Sequence, residues 1–167
     1  MIEERYELAL DRIRLMQTED TVGEPYRDYF KKMAEFVLML DELRTELLDG
    51  RYQKLELDEL RKWNRRLYQD VLPGQYEKSY ANPDYACKML GKESGQILGM
   101  LYAELRGAVV YVFEGKTEYL AILYELLIEV YNQFEEEPDP KAVRDTFYWY
   151  ASDYCCLLYT SDAADDL

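Results

Sequence analysis

Apolar residues recur every three to four positions through most of this 167-residue chain, and this spacing constrains the fold more than any other feature. Such a period places apolar side chains on one face of an α-helix, whereas a half-buried strand needs strict alternation of apolar and polar residues. No segment shows a competing strand pattern. The sequence therefore predicts an all-α fold, an orthogonal or antiparallel multi-helix bundle of six to seven helices.

Capping and helix-breaking residues indicate where the predicted helices begin and end. Thr21 and Glu24 have the spacing of a capping box, and Pro25 suits the first turn of the second helix. Asn82 followed by proline is a strong start for the fourth helix. The sixth helix is apolar nearly all round, which is typical of a central, buried helix. The predicted helices cover residues 2–17, 25–48, 57–71, 83–91, 92–113, 118–134 and 141–154.

Small residues recur every four positions around the fifth predicted helix. These residues are Gly91, Gly95, Gly99, Ala103 and Gly107, and on a helix they form one smooth stripe. A glycine inside a helix costs about 1 kcal/mol relative to alanine, and close approach of another helix would offset that cost. We predict that this small-residue stripe packs against the helix at 118–134, with Gly99 buried. The alternative is a groove for a peptide or a partner helix.

The chain contains no histidine, and this absence excludes several kinds of catalytic and metal site. Zinc motifs of the HExxH type, histidine-based triads and histidine general bases are impossible. The acidic residues cluster on predicted polar faces or in the loop at 135–137, where a solvated surface is the simplest interpretation. We therefore predict no catalytic, cofactor-binding or metal-binding residue in this chain.

The formal net charge of −14 restricts the partners that this surface can attract. Acidic surfaces repel phosphate backbones and anionic lipids, so we predict no nucleic-acid partner and no membrane partner. The longest apolar stretch, at 97–113, is interrupted by Glu104 and Arg106. Residues 1–5 carry no secretion-signal pattern, and Cys87 is the one cysteine that precedes residue 155. Together these features predict an intracellular protein in a reducing compartment.

The run CLLYTSDAADD at 156–166 resembles the translation of a transposase-type DNA sequencing adapter. Three of the negative charges belong to this run, which leaves about −11 for the remainder. We interpret residues 155–167 as an adapter-derived, disordered tail and residues 1–154 as a helical N-terminal domain of a longer protein. A short acidic tail that belongs to the protein is the alternative.

Several segments of the predicted helices and turns resemble one known family. The segments are TVGEPYR at 21–27, KSYANP at 78–83, LYAELRG at 101–107, EVYNQFE at 129–135 and YWYASDY at 148–154. Together they resemble the helical N-terminal extension of leucyl aminopeptidases of the aminopeptidase T group. The likeness covers nearly all of residues 1–154, although none of these segments is a catalytic motif.

The resemblance implies that the chain is the non-catalytic helical portion of a cytoplasmic, metal-dependent aminopeptidase, which releases N-terminal residues from peptides. Members of that family hold two divalent metal ions, of the zinc or cobalt type, with Glu, His and Asp side chains. Those ligands are expected in a missing catalytic domain, which is also the expected partner, and no residue here matches them. A homo-oligomer is left open. The alternative function is a freestanding, acidic, helical protein-interaction module.

Overall fold

A computed structural model describes residues 2–19, 21–50, 57–135, 139–150 and 152. The α-helices are α1 (Ile2–Met16), α2 (Tyr26–Leu48), α3 (Leu57–Leu67), α4 (Pro83–Leu90), α5 (Lys92–Gly107), α6 (Val109–Phe113) and α7 (Thr117–Phe134). Residues 140–150 form one more helical segment, α8. No strand occurs among these described residues, and the helices contact one another extensively, so the prediction of an all-α bundle is confirmed.

Helix α2 occupies the centre of the bundle. It contacts α1, α3, α5, α6 and α7, while α1 packs along α7 and α4 packs along α5. Helix α7 contains more buried residues than any of the other helices with defined bounds, as its nearly continuous apolar sequence predicts. The hydrophobic core therefore lies around α2 and α7, and α5 connects the α4–α5 pair to it.

Aromatic side chains fill the space between α2 and α7. Phe30 of α2 is 1% exposed, and its ring centroid lies 5.2 Å from that of Tyr131 and 5.6 Å from that of Phe134. The Phe30 and Tyr131 rings meet edge to face, at 89°. Edge-to-face pairs bring a positive ring edge to a negative ring face, which adds to the benefit of burying the rings. Phe30 thus joins the two central helices.

Tyrosine hydroxyls attach α2 to both members of the α4–α5 pair. The Tyr26 hydroxyl donates a hydrogen bond to the carbonyl oxygen of Leu90 at 3.0 Å, and the Tyr29 hydroxyl donates to that of Leu98 at 2.7 Å. Leu90 ends α4, where carbonyl groups lack partners within the helix, so the bond from Tyr26 satisfies one of them. Both helices of the pair are consequently held by the same face of α2.

Several local predictions are wrong at helix ends. The Thr21 side chain does not cap α2, because α2 begins at Tyr26 and Pro25 occupies the cap position. The Thr21 hydroxyl instead lies 3.0 Å from the Tyr131 hydroxyl and donates toward Glu135 at 3.3 Å. Helix α2 begins at Tyr26 without a side-chain cap, and α3 ends at Leu67, before a 3₁₀ turn at Gln69–Val71.

The predicted helix at 92–113 is divided into α5 and α6. The amide of Ala108 bonds to the carbonyl of Leu105, three residues back, which tightens the last turn of α5. Of the last predicted helix, residues 140–150 are helical, whereas residues 151, 153 and 154 and the interpreted tail at 155–167 lie outside the described residues.

Buried tyrosines make the fold sensitive to high pH. Burial raises the pKa of Tyr29 and of Tyr124 well above the ordinary value of 10.0. The folded chain therefore keeps these protons in a range where the unfolded chain releases them, so the contribution of these tyrosines to stability is intact below about pH 10 and falls as the pH rises further. We expect exposed tyrosines such as Tyr76 and Tyr148 to ionise first, while the chain stays helical. The phenolate absorbance of the buried tyrosines should then appear together with the loss of helical circular dichroism. Full ionisation of all tyrosines with the helical signal unchanged would contradict this expectation.

Candidate functional site: a groove between α4 and α5

The first wall of the candidate site is α4, whose two ends are set by local chemistry. The Asn82 side chain accepts a hydrogen bond from the amide of Asp84 at 3.1 Å, which confirms the predicted helix start. At the other end Gly91 has a φ of 89°, a conformation that side chains disfavour. This residue of positive φ ends α4 and turns the chain directly into α5, so the two helices form a hairpin.

The hairpin is closed at Gly95, one turn into α5. A Cβ atom placed on Gly95 would lie 2.6 Å from the Cα of Cys87 and 2.7 Å from the carbonyl oxygen of Ala86. Side chains never approach backbone atoms so closely, which means that only glycine permits this contact between the two helices. One turn further along, a Cβ atom on Gly99 would meet nothing within 4 Å. The helices therefore touch at Gly95 and leave open space beyond it.

That open space is a groove with a volume of about 520 Å³. One wall is formed by α4 and the turn before it, and the other wall is formed by α5. The lining residues are Tyr80, Ala81, Pro83, Cys87, Gly95, Gln96, Gly99, Met100 and Ala103. None of these residues carries a formal charge at neutral pH.

The polar groups of the lining are few and mostly engaged elsewhere. The Tyr80 hydroxyl donates to the carboxylate of Asp28 at 3.4 Å, and the Cys87 thiol lies 3.7 Å from the carbonyl oxygen of Lys92. The amide of Gln96 is exposed. Sites for small polar ligands present several convergent polar groups, and this lining does not. Apolar side chains are the chemical match for such a groove.

An exposed surface along α5 and α6 adjoins the groove at Met100, which belongs to both. Met100 and Val110 are each 51% exposed, although both are large apolar residues. They lie at helical spacing with other residues that carry no charge, and together these residues form what we name the uncharged face: Gln96, Gly99, Met100, Ala103, Gly107 and Val110. The face spans about 20 Å, at 1.5 Å per residue.

The small-residue stripe predicted from the sequence occupies this face, but the predicted packing is wrong. Only Gly95 makes the expected close approach, and its neighbour is α4 rather than the helix at 118–134. Gly91 lies at the junction of the two helices, Gly99 is half-buried, and Ala103 and Gly107 are exposed. The four-residue spacing identified a smooth surface correctly, whereas the assumption that the next helix in sequence covers it was incorrect.

Beside the groove, a network of buried and half-buried polar groups joins α2, α5 and the segment between α3 and α4. Tyr102 donates to the carboxylate of Asp70 at 2.8 Å, and the Lys32 ammonium lies 3.2 Å from the same carboxylate. Burial raises the pKa of Tyr80 and of Tyr102, so both phenols stay protonated and act as donors at neutral pH. This arrangement is suited to positioning the groove wall rather than to proton transfer.

Metal-binding side chains are not grouped in the described part of the chain. Within residues 2–19, 21–50, 57–135 and 139–150, no three His, Cys, Asp or Glu side chains lie close enough together to hold an ion. The pair of zinc or cobalt ions that the family resemblance implies for a missing catalytic domain stays a prediction.

One helical stretch, Lys92–Phe113, is long and apolar enough by length and composition to cross a membrane. It contains α5, α6 and the uncharged face. In its most apolar window 44% of the residues are buried inside the protein. Core helices of globular proteins meet the same criterion, so this stretch is weak evidence for a membrane span.

Comparison with protein-family models, with curated proteins and with solved structures gives no significant match to this chain.

Sequence reasoning missed several of the residues that line the groove, among them Tyr80, Cys87 and Met100. The sequence of α5 contains a signal that could have identified this surface. One face of the helix is apolar, and a second face consists of residues that carry no charge. The apolar face, which includes Leu98 and Leu101, is buried against the core. A helix on the surface of a protein needs one apolar face, which packs on the core, and is usually charged or polar on the opposite side. A second face without charges is not needed for folding and therefore indicates a contact site.

Proposed function

We propose that this chain is a non-catalytic helical module that contacts another polypeptide through the uncharged face of α5 and α6. The observation that supports the proposal is the exposure of Met100 and Val110 on a face without charges, next to an apolar groove of about 520 Å³. Exposed apolar side chains beside an apolar groove, on a surface without charges, are suited to contact with apolar side chains of another polypeptide.

The family resemblance favours one particular contact. In aminopeptidases of the aminopeptidase T group, the polypeptide that adjoins a helical extension is the metal-dependent catalytic domain. We therefore propose that the chain is the helical part of such a cytoplasmic enzyme, and that the uncharged face packs on or near its catalytic domain. The chain would then influence substrate access or subunit packing while the metal ions act elsewhere.

The alternative is a freestanding module for a separate protein partner, and the same surface supports it. The two possibilities differ in the coding sequence downstream of the helical region. Reading the source DNA with adapter sequence removed separates them. Several hundred further codons with Glu, His and Asp metal ligands would support the aminopeptidase, and a stop codon soon after Tyr154 would support the freestanding module.

The contact itself is tested by hydrogen exchange. We expect backbone amides at 96–110 to exchange more slowly in the complete protein, or in the complex with its partner, than in the isolated chain. Amides of α1, which lies outside the uncharged face, serve as the internal control and should change little. Equal exchange at 96–110 in both samples would show that this face is not the contact surface. Metal-dependent release of N-terminal residues by the isolated chain would contradict the non-catalytic role.

A further inference from the structure

We infer that the groove between α4 and α5 takes an amphipathic helix whose polar side carries basic residues. The inference rests on the proposed function, because it names the chemistry of the partner for the same surface. It begins with shape. The groove is open beyond Gly95, and the wall of α5 presents Gly99 and Ala103, which project little from the helix. A partner helix can therefore approach α5 closely and place its apolar side chains beside Met100.

The dimensions also fit a helix. The uncharged face runs for about 20 Å, which corresponds to about four turns of a partner helix lying along it. The groove itself spans Gly95 to Ala103 of α5, about 12 Å or about two helical turns. Binding of an amphipathic helix relies on a few apolar anchors at three-to-four spacing, which the groove and the adjoining uncharged face can accept together. Methionine at the centre adds a flexible, polarisable contact that adapts to different apolar side chains.

Charge selects among possible helices. The chain carries a formal net charge of −14, or about −11 without the interpreted tail at 155–167, so a basic partner is attracted and a second copy of the chain is repelled. Exposed carboxylates lie toward the open end by chain position, since Asp84 is three residues before Cys87 and Glu104 is four residues after Met100. Toward the closed end, near Gly91, the exposed charged residues are Lys88, Lys92 and Glu93, so positive charge predominates there. Basic residues of the partner are therefore best placed near the open end.

The test uses synthetic helical peptides as probes. One peptide, about 18 residues long, has Leu and Ala on one face and Lys and Arg on the other, and a second peptide has Glu in place of the basic residues. Binding to the isolated chain is measured by fluorescence anisotropy at two salt concentrations. We expect the basic peptide to bind and the acidic peptide to bind at least tenfold more weakly, with a difference that shrinks as salt is added.

Matched variants locate the binding. Met100→Lys places a charge in the groove, whereas Met89→Lys makes the same change at a 37% exposed methionine of α4 that does not line it. Both variants have the same net charge, so a purely electrostatic attraction would weaken equally in the two. We expect Met100→Lys to bind the basic peptide about tenfold more weakly than Met89→Lys does. Gly99→Leu, which fills the groove, should weaken binding in the same way, with circular dichroism confirming that it folds.

Each other outcome overturns the inference in a recognisable way. Equal losses in Met100→Lys and Met89→Lys would show non-specific attraction to an acidic surface. Three results would each identify a different occupant of the groove. They are groove-dependent binding of the acidic peptide, groove-dependent binding of phosphatidylcholine vesicles, and dimerisation that Met100→Lys abolishes. In the acidic-peptide and dimerisation cases the uncharged face still contacts a polypeptide, and the proposed function stands. If neither peptide binds, and hydrogen exchange at 96–110 is also unchanged in the complete protein, both this inference and the proposed function are rejected.

Discussion

Replacing Gly95 with alanine is expected to destabilise the protein, whereas replacing Gly99 with alanine is expected to stabilise it. A Cβ atom at Gly95 would lie 2.6 Å from the Cα and 2.8 Å from the amide nitrogen of Cys87. These are backbone atoms, so no side-chain rotation can relieve the overlap, and α4 must move away from α5. Overpacking of this kind costs about 1–3 kcal/mol of unfolding free energy.

Gly99 is the matched control, because it lies on the same helix one turn further on. Its Cβ atom would meet nothing within 4 Å, so the substitution brings only the better helix propensity of alanine, up to about 1 kcal/mol. Urea denaturation of both variants measures the two effects under identical conditions. A loss of stability in Gly99→Ala, or none in Gly95→Ala, would mean that α4 and α5 do not meet at Gly95.

Truncation of Phe30 to alanine is expected to remove about 3–5 kcal/mol of unfolding free energy. Phe30 is 1% exposed and contacts the rings of Tyr29, Tyr131 and Phe134, so its removal leaves a cavity between the two central helices. The loss combines the transfer free energy of the ring with the contacts that its neighbours cannot replace. Because whole domains are stable by about 5–15 kcal/mol, the variant is expected to be close to unfolding at physiological temperature.

Leu48→Ala is a suitable control for that measurement. Leu48 ends α2 and is 70% exposed, so its truncation should change stability by less than about 0.5 kcal/mol. Thermal and urea unfolding followed by circular dichroism give both values. Similar losses in the two variants would contradict a core centred on α2 and α7.

The helical architecture was predictable because it depends on local patterns. The apolar period of α2 and the nearly continuous apolar sequence of α7 each indicated a helix, and the Asn82 cap was correct in detail. Thr21 was misassigned because its hydroxyl can either cap a helix or contact a distant side chain. In the structure it contacts the Tyr131 hydroxyl of α7. Such a choice is decided by tertiary structure, which a local motif does not contain.

The candidate site was only partly predictable for a related reason. The spacing of Gly95, Gly99 and Ala103 shows that one face of α5 is smooth, but it holds no information about the element opposite. Chain order suggested α7, whereas the turn of positive φ at Gly91 folds α4 back onto α5 and makes α4 the neighbour. The groove arises because this contact is limited to Gly95, a property of helix geometry that appears only when both helices are placed.

The attachment of α4 and α5 to α2 by Tyr26 and Tyr29 has a consequence for association. Both walls of the groove are hydrogen-bonded to one central helix, so the groove is preorganised and has its shape before any partner arrives. The conformational entropy lost on binding then belongs almost entirely to the partner segment. Affinity should therefore depend on the intrinsic helicity of that segment. Of two partners that make the same contacts, the one that is already helical in solution should bind more tightly than the one that must fold as it binds.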